Sequence, residues 1–302
     1  ELLKRKTTGY VSFIRGENPY TFPYRLWPSI FTPKDTFKDK NYPRYQLNGN
    51  PILEELNVID VYLTNIGDYQ KLGYNHIINR LKDGFFNTGR DDVMPDFENM
   101  GSFGYTLLQK PLEALNMIYP DDRLDEANAN FNPIDIVGKE GLNRIMSYTE
   151  SVSPPSKFNY EYKTEKYGRI FSPDIIGKYS SKIKKICDNI LNSTGVVLVY
   201  SQYLDGGVVP LALALEELGF IRGGNGKSLL KKKPDENRFL DIDGNKHQAK
   251  YIMITGDKKL SPDTNNDINI LTNINNKYGK NIKVVLISQA GTEGLDFKFI
   301  RQ

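Results

Sequence analysis

The carboxyl-terminal half of the sequence predicts an α/β protein with an open parallel sheet. Continuous apolar runs at residues 196–200, 251–255 and 282–288 have the length and the β-branched content of buried strands. Helical patterns at residues 209–219 and 263–279 separate these runs. Because strands that alternate with helices are joined by right-handed crossovers, we expect the three strands to run parallel in one sheet.

One further helix is predicted before the first of these strands, within residues 174–195, with Gly195 as its terminator. Isoleucines and a leucine recur at helical spacing on one face, while lysines occupy the opposite face. The apolar positions are Ile183, Ile186, Ile190 and Leu191, and the basic positions are Lys182, Lys184 and Lys185.

The amino-terminal half has a less regular pattern. Five prolines within residues 1–50 exclude a long helix there. A strand is predicted at residues 57–63, and a helix at residues 68–82 with Gly84 as its stop. A second short helix is predicted to end before Pro120. We therefore expect an irregular, partly helical region ahead of the sheet.

Composition restricts the classes of function. The chain has 302 residues, 39% of them hydrophobic and 25% charged, which is typical of globular proteins. A single cysteine and two histidines argue against a disulfide framework and against a zinc or histidine metal centre. The net charge of +3 permits nucleic-acid binding without predicting it. No apolar run approaches the length of a membrane span, so no membrane association is expected.

Both ends of the chain suggest a piece of a longer protein. The sequence does not begin with Met, and residues 1–6 lack the apolar core of a signal peptide. A polar, glycine-bearing loop at residues 288–296 lies only six residues from the last residue, Gln302.

Three loops follow the predicted strands, at residues 201–203, 255–257 and 288–296. The carboxyl ends of parallel strands form the edge at which open α/β sheets bind ligands, so we expect the three loops to lie together. They supply hydroxyl groups, small residues that let backbone N–H groups approach an anion, and Asp296 as an acceptor for a ribose hydroxyl. The pattern predicts a nucleotide or nucleic-acid site, with an unspecialised sheet edge as the alternative.

The segment "GGNGKS" at residues 223–228 is similar to a phosphate-binding loop but does not match its spacing. That motif requires a glycine at position 221, where this chain has Ile, and a preceding strand, where this chain has a predicted helix. We interpret residues 221–248 as an insertion with a flexible basic loop. Residues 231–233, three lysines, are expected to be a solvated face rather than a nucleic-acid contact.

The order of "VLVYSQYLDGG", "YIMITGD" and "KVVLISQAGTEGLDF" resembles motif IV, the following loop and motif V of superfamily 2 helicases. The resemblance implies a RecA-like second helicase lobe that binds the backbone of DNA or RNA and the ribose of ATP. The nucleic-acid contacts that it implies are Ser201, Gln202, Thr255, Gly256, Ser288 and Gln289, and the ATP contacts are Gly294 and Asp296.

The first half of the chain also resembles this family. Gln70 and Tyr74 match a helix of Swi/Snf-type translocases, and Asn116 and Pro120 match a short helix that follows. The amino-acid sequences of the two ends are most similar to those of helicase-like ATPases and early transcription factors of large cytoplasmic DNA viruses. The resemblance therefore implies viral transcription machinery as a partner, and a cytoplasmic location in a viral factory or virion.

The chain also departs from this family. It has no Gly-Lys-Thr/Ser loop, no Asp-Glu pair after a strand for Mg²⁺, and no motif VI after Gln302. We therefore expect a connector at residues 1–169 and a lobe at residues 170–302 that is truncated after motif V. ATP and Mg²⁺ would be bound mainly by a missing first lobe, and no catalytic or metal-binding residue is assigned in this chain, which we expect to be inactive alone.

Two alternatives remain open. The chain could be a non-catalytic lobe of a degenerate motor that binds nucleic acid or a partner. It could also be a small-molecule enzyme on a Rossmann-like sheet, which requires an acid–base pair at the same edge. Asp205 and Asp257 are the residues available for such a pair.

Overall fold

The structure is a computed structural model of the chain, which divides into a first unit, Glu1–Leu63, and a second, Thr64–Gln302. The elements described here all belong to the second unit, and the strand predicted at residues 57–63 lies outside the described residues. The structure describes residues 51, 53, 64–86, 104–125, 131–150, 158–163, 166–232, 234, 248–289 and 295–302.

Helices and an antiparallel hairpin precede the parallel sheet. The elements are α1 (Asp68–Phe86), α2 (Gly104–Asn116), α3 (Gly138–Ile145), β1 (Met146–Glu150) and β2 (Phe158–Tyr162), with 3-10 helices at Asp122–Asp125 and Pro133–Ile136. The predictions of α1 and α2 are confirmed, but α1 continues past Gly84, so that stop was wrong. A single glycine inside a helix costs about 1 kcal/mol without ending it.

The helix predicted within residues 174–195 is divided into α4 (Ile176–Tyr179) and α5 (Ser181–Asn192). Ser180 separates them because its backbone is extended and its hydroxyl accepts a hydrogen bond from the Ile183 amide, which is an N-cap. The predicted apolar face of α5 is confirmed, since Ile183 and Ile190 are buried. Gly195 adopts a positive φ three residues after α5 ends, so it is not the helix terminator.

Four parallel strands form the sheet, which confirms the predicted α/β class and is consistent with a RecA-like fold. The sheet order is β3-β6-β5-β4, and the helices α6 and α7 lie in the connections. The bounds are β3 (Val197–Tyr200), α6 (Val209–Glu217), β4 (Ile221–Arg222), β5 (Lys250–Ile254), α7 (Thr264–Leu271), a 3-10 helix (Ile274–Asn276) and β6 (Val284–Ile287).

Two details of the sheet differ from expectation. The segment assigned to an insertion at residues 221–248 begins with β4, so "GGNGKS" follows a short strand rather than a helix. The helix predicted at residues 263–279 ends at Leu271, because the buried side chain of Asn276 accepts from two backbone amides and donates to two carbonyls, including that of Leu271. Because this one side-chain amide satisfies four backbone groups, it stabilises a turn at this place instead of further helix.

Apolar clusters cover both faces of the sheet. On one face every residue of α6 is buried, which explains why its sequence is apolar all round except for two glutamates. The same cluster contains Met117 and Tyr160 from the region before residue 170, so a boundary at residue 169 stays a prediction. The other face packs Ile252 and Val285 against Leu271 of α7. None of the described helices combines the length and apolarity that crossing a membrane requires.

Two adjacent buried carboxylates join α6 to the surrounding segments. Glu216 accepts hydrogen bonds from the Ser228 hydroxyl, the Tyr251 hydroxyl and the backbone amides of Leu229 and Leu230. Glu217 accepts from the Tyr162 hydroxyl, which joins the hairpin to α6, and from the guanidinium of Arg169. Buried charges are tolerated only with such partners.

We expect Glu216→Ala to lower the free energy of unfolding by about 3 kcal/mol, because four donors, three of them buried, would lose their acceptor. Urea denaturation followed by circular dichroism measures this loss. Asn269→Ala, at an exposed position of α7, is the control and should change the stability by less than about 0.5 kcal/mol. Equal stability of the Glu216 variant and the control would contradict the assignment.

Candidate nucleic-acid interface

The three predicted loops lie side by side at the carboxyl edge of the sheet. The Ser201 amide donates to the Ile287 carbonyl at 3.0 Å, and the Ser288 amide donates to the Ile254 carbonyl at 3.1 Å. These bonds extend the parallel ladder one residue beyond β3 and β6. Ser201, Ser288 and Thr255 therefore form a row across three neighbouring strands, which are about 4.8 Å apart.

In the loop after β3, the backbone at Gly207 passes close to the side chain of Ser201. The Ser201 hydroxyl is half-buried and donates to the Tyr203 carbonyl, while Gln202 is exposed. A π-helical turn at Leu204–Val208 follows and leads into α6. A Cβ atom on Gly207 would lie 2.0 Å from the Ser201 Oγ, so only glycine leaves room for this hydroxyl. Single π-turns of this kind occur often at functional sites.

The loop after β5 is shaped by the hydroxyl of Thr255. This side chain is 8% exposed and lies 2.9 Å from the Ser261 Oγ, which in turn donates to the Met253 carbonyl. The Asp257 amide also donates to the Thr255 hydroxyl. Thr255 thus holds the turn together, and the exposed residue at its tip is Gly256. The role of Thr255 as a direct phosphate contact stays a prediction.

The loop after β6 is described at its two ends. Ser288 is 7% exposed and Gln289 is exposed, whereas residues 290–294, including Gly294, lie outside the described part of the chain. At the far end Leu295 and Phe297 pack against the apolar cluster around Ile252, and Asp296 between them is exposed.

The chain then returns along the outer edge of β3. The Arg301 amide donates to the Val196 carbonyl, and the Leu198 amide donates to the Gln302 carbonyl. A parallel bridge between Val196 and Ile300 adds to this pairing. Residues 300–302 therefore continue the sheet next to β3.

Carboxylates lie close to this edge. Burial raises the pKa of Asp205, and the nearby charges of Asp257 and Glu113 raise it further while Lys139 opposes them. Glu113 is buried and accepts from the side chains of Gln109 and Lys110. Carboxylates repel a phosphate group, so the groups at this edge that could attract one are its hydroxyl groups and backbone amides.

The residues that matched the family in the first half of the chain have structural contacts. Gln70 is fully buried; its amide donates to the carbonyls of Ala114 and Leu115 and accepts from the Ser181 amide. It therefore ties α1 to the end of α2 and to the start of α5. Tyr74 is half-buried against a smaller apolar cluster.

The remaining matched residues end α2. The Asn116 side chain accepts from the Lys182 ammonium, and the Asn116 carbonyl accepts from the Ser180 hydroxyl. Pro120 is buried four residues after the helix ends. Asn116 thus brings the end of α2 to the edge where Ser201 lies.

Several contributors were missed at the level of sequence. Gly207 has a sequence signal, because it belongs to the pair "GG" that follows a strand and an aspartate. That this position has no room for a side chain is visible only from its contact with Ser201. Glu113 and Lys182 carry none, because a charged residue on a helix is usually a solvated one. Lys231 was expected to lie on a solvated face, and it pairs with Glu161 at 2.7 Å while 54% of its side chain stays exposed.

Comparison with known proteins gives a partial match. No protein-family model matches the chain. A termination factor NPH-I homologue of African swine fever virus, isolate Pretoriuskop Pr4, is 32% identical over 140 residues, which are 41% of this chain and 20% of that relative. The homologue of the Malawi isolate is 31% identical over 141 residues, with the same coverage. The match thus spans about a fifth of the length of these curated relatives.

The names of these relatives agree with one part of the resemblance described above. They are viral proteins and are named as termination factors. The chain is therefore similar, over less than half of its length, to viral proteins that are named for a step of transcription. The match does not specify a lobe, a motif or a site residue.

We expect Gly207→Ala to lower the free energy of unfolding by about 2 kcal/mol, because the new methyl group would overlap the Ser201 Oγ. The double variant Ser201→Gly with Gly207→Ala should recover part of this loss. Gly177→Ala is the matched control, since its Cβ would meet only the Lys184 side chain at 3.6 Å. Thermal and urea denaturation measure all three, and a loss that Ser201→Gly does not relieve would contradict the contact.

Proposed function

We propose that this chain supplies the second motor lobe, with motifs IV and V, of an ATP-dependent nucleic-acid helicase or translocase that serves viral transcription. The observation that carries the proposal is the row of Ser201, Ser288 and Thr255 at the carboxyl ends of three adjacent parallel strands. The order of the helicase-like motifs and the names of the viral relatives support it. The lobe would begin near residue 170, after a connector.

The row would bind the sugar–phosphate backbone of DNA or RNA. The amides of Ser201 and Ser288 are used by the sheet, so the hydroxyls are the groups that would meet phosphate oxygens. The Ser201 hydroxyl would exchange its bond to the Tyr203 carbonyl for a bond to a phosphate oxygen. The residues that follow them in the three loops, Gln202, Gly256 and Gln289, are exposed at the same edge. Neutral donors of this kind position a strand without reading its bases, so binding would not depend on sequence.

The ribose of ATP would be held by Asp296, with Gly294 beside it. Because Leu295 and Phe297 are anchored in the apolar cluster, the exposed carboxylate between them is a fixed acceptor, which suits a ribose hydroxyl. Within the described part of the chain no group of three His, Cys, Asp or Glu side chains is assembled that could hold a metal ion. When bound, ATP would supply the free energy that moves the two lobes relative to each other.

Movement along a strand would then require the lobe to hold and release phosphates in turn. The hydroxyl row is rigidly attached to the sheet, while the loops that carry Gln202 and Gln289 connect it to α6 and to the ATP-binding end of motif V. A change at Asp296 would be transmitted through the same loop to Ser288. We place this activity in the cytoplasm, in a viral factory or virion.

The backbone-binding role predicts that Ser201→Ala with Ser288→Ala weakens binding of single-stranded DNA roughly thirtyfold, since each of the two lost hydrogen bonds is worth about 1 kcal/mol. Two strands of unrelated sequence should lose the same factor, because phosphate contacts carry no sequence information. Fluorescence anisotropy at several salt concentrations measures this effect.

The control for this experiment removes hydroxyls elsewhere. Thr194→Ala with Thr149→Ala deletes two exposed hydroxyls that precede β3 or lie in β1, away from the row. This control should bind like the unchanged protein. A loss confined to one of the two DNA sequences, or an equal loss in the control, would refute the backbone-binding role.

The ATP role predicts that Asp296→Ala weakens ATP binding in the natural full-length protein by roughly tenfold or more, because a charge-assisted hydrogen bond is worth about 1.5–3 kcal/mol. Dideoxy-ATP lacks both ribose hydroxyls. It should therefore bind the unchanged protein more weakly than ATP does, whereas the variant should bind it no more weakly than it binds ATP. Calorimetry measures the four affinities, with exposed Asp174→Ala as the control. Retained discrimination in the variant would refute the ribose assignment.

A further inference from the structure

A cleft of about 230 Å³ lies beside Ser201, between α5 and the loop that follows β3. Its walls are mostly apolar and its rim is polar, which is the usual composition of a small-molecule site. The apolar lining consists of Ile183, Ile186, Val199 and Leu211. The remaining lining consists of Asn116, Lys182, Tyr200, Ser201, Gln202, Tyr203 and Gly207.

Lys182 is a cation at the rim that lacks a counter-ion within the described residues. Its ammonium donates to the neutral Asn116 Oδ1 at 2.7 Å, and no described carboxylate lies within ion-pair distance of it. Lys184, two residues after Lys182 in the same helix, pairs with Asp188. Partial burial lowers the pKa of Lys182, while the residue as a whole stays exposed. An exposed cation without a carboxylate partner is suited to binding an anion.

Tyr200 supplies an aromatic surface at the same place. It ends β3, lines the cleft and is 54% exposed, so its ring is accessible to a ligand. The amides of Asn116 and Gln202 lie at the rim and can bond to the edge of a planar ring. The volume is below that of sites for drug-sized ligands, so the cleft suits a single ring system.

We propose that this cleft binds one unstacked nucleotide of a single strand, with its base against Tyr200 and its phosphate at Lys182. The inference rests on the proposed function, because Ser201 at the cleft rim belongs to the row that binds the backbone. It adds a base contact to an interface otherwise made of phosphate contacts. Because every base has a stacking face, this contact would be tolerant of sequence.

The base contact is tested with Tyr200→Ala and two strands of equal length, one of thymidines and one of abasic residues with the same phosphates. Tyr200→Ala should weaken binding of the thymidine strand roughly tenfold, within the range of base–aromatic stacking, and should leave the abasic strand unaffected. Tyr200→Phe keeps the ring and should bind like the unchanged protein. Anisotropy at constant salt gives all six affinities.

The phosphate contact is tested with Lys182→Ala and the matched control Lys184→Ala. Removing one phosphate contact should reduce the slope of log K against log salt by about 0.7 on a single strand. The control removes the same charge from the same helix, but from a lysine that already has a carboxylate partner, and should leave the slope nearly unchanged. Tyr200→Ala should not change the slope, since it removes no charge.

The possible outcomes separate the inference from the proposed function. If both strands bind with a steep salt dependence, but Tyr200→Ala acts equally on them or not at all, the cleft is not a base site and the backbone-binding role stands. Equal slopes for Lys182→Ala and Lys184→Ala would remove Lys182 from the site. If neither strand binds, the proposed function itself is wrong.

Discussion

The parallel hydrogen-bond ladder across β3, β6 and β5 fixes where the candidate phosphate contacts Ser201 and Ser288 lie. It continues one residue past β3 and β6 through the amides of these two residues, so they take their positions from the sheet rather than from their loops. Loop ends held in this way lose little conformational freedom when a ligand binds. Gly207 is a second constraint, because its lack of a side chain lets the turn at Leu204–Val208 pass close to the Ser201 hydroxyl.

The helices before residue 170 stabilise this edge from the side. The buried amide of Gln70 joins three helices, and the contacts of Asn116 place the end of α2 against the start of α5. Lys182 lies in the first turn of α5, so its position depends on segments far away in the sequence. The region predicted as a connector therefore forms one wall of the candidate interface.

Some charged side chains are buried with hydrogen-bond partners, and others are exposed to solvent. Glu216 and Glu217 are buried with complete sets of donors, so they stabilise packing and offer nothing to a ligand. Asp296 and Lys182 are different, because each keeps a charged group near solvent at a place where the backbone is fixed. This contrast, rather than the net charge of the chain, distinguishes structural from candidate binding groups.

The sequence by itself determined the α/β class, the strands β3, β5 and β6, the amphipathic face of α5 and the sharing of one edge by three loops. It could do so because continuous apolar runs and helical periodicity are local signals, and because parallel strands leave a sheet on the same side. It placed β4 in an insertion, since a two-residue strand depends on its distant partner β5. It extended α7 too far, since helical periodicity does not reveal that the Asn276 side chain bonds four backbone groups five or six residues away.

Only the tertiary structure decided which polar groups are used internally and which remain for a ligand. Thr255 and Ser288 are similar in sequence, yet one hydroxyl is bonded within its own turn by Ser261, a residue six positions away. Lys182 and Lys184 have the same local pattern, yet only one has a carboxylate partner. Hydrogen-bond partners and desolvation are set by contacts between distant segments, which periodicity and composition do not encode.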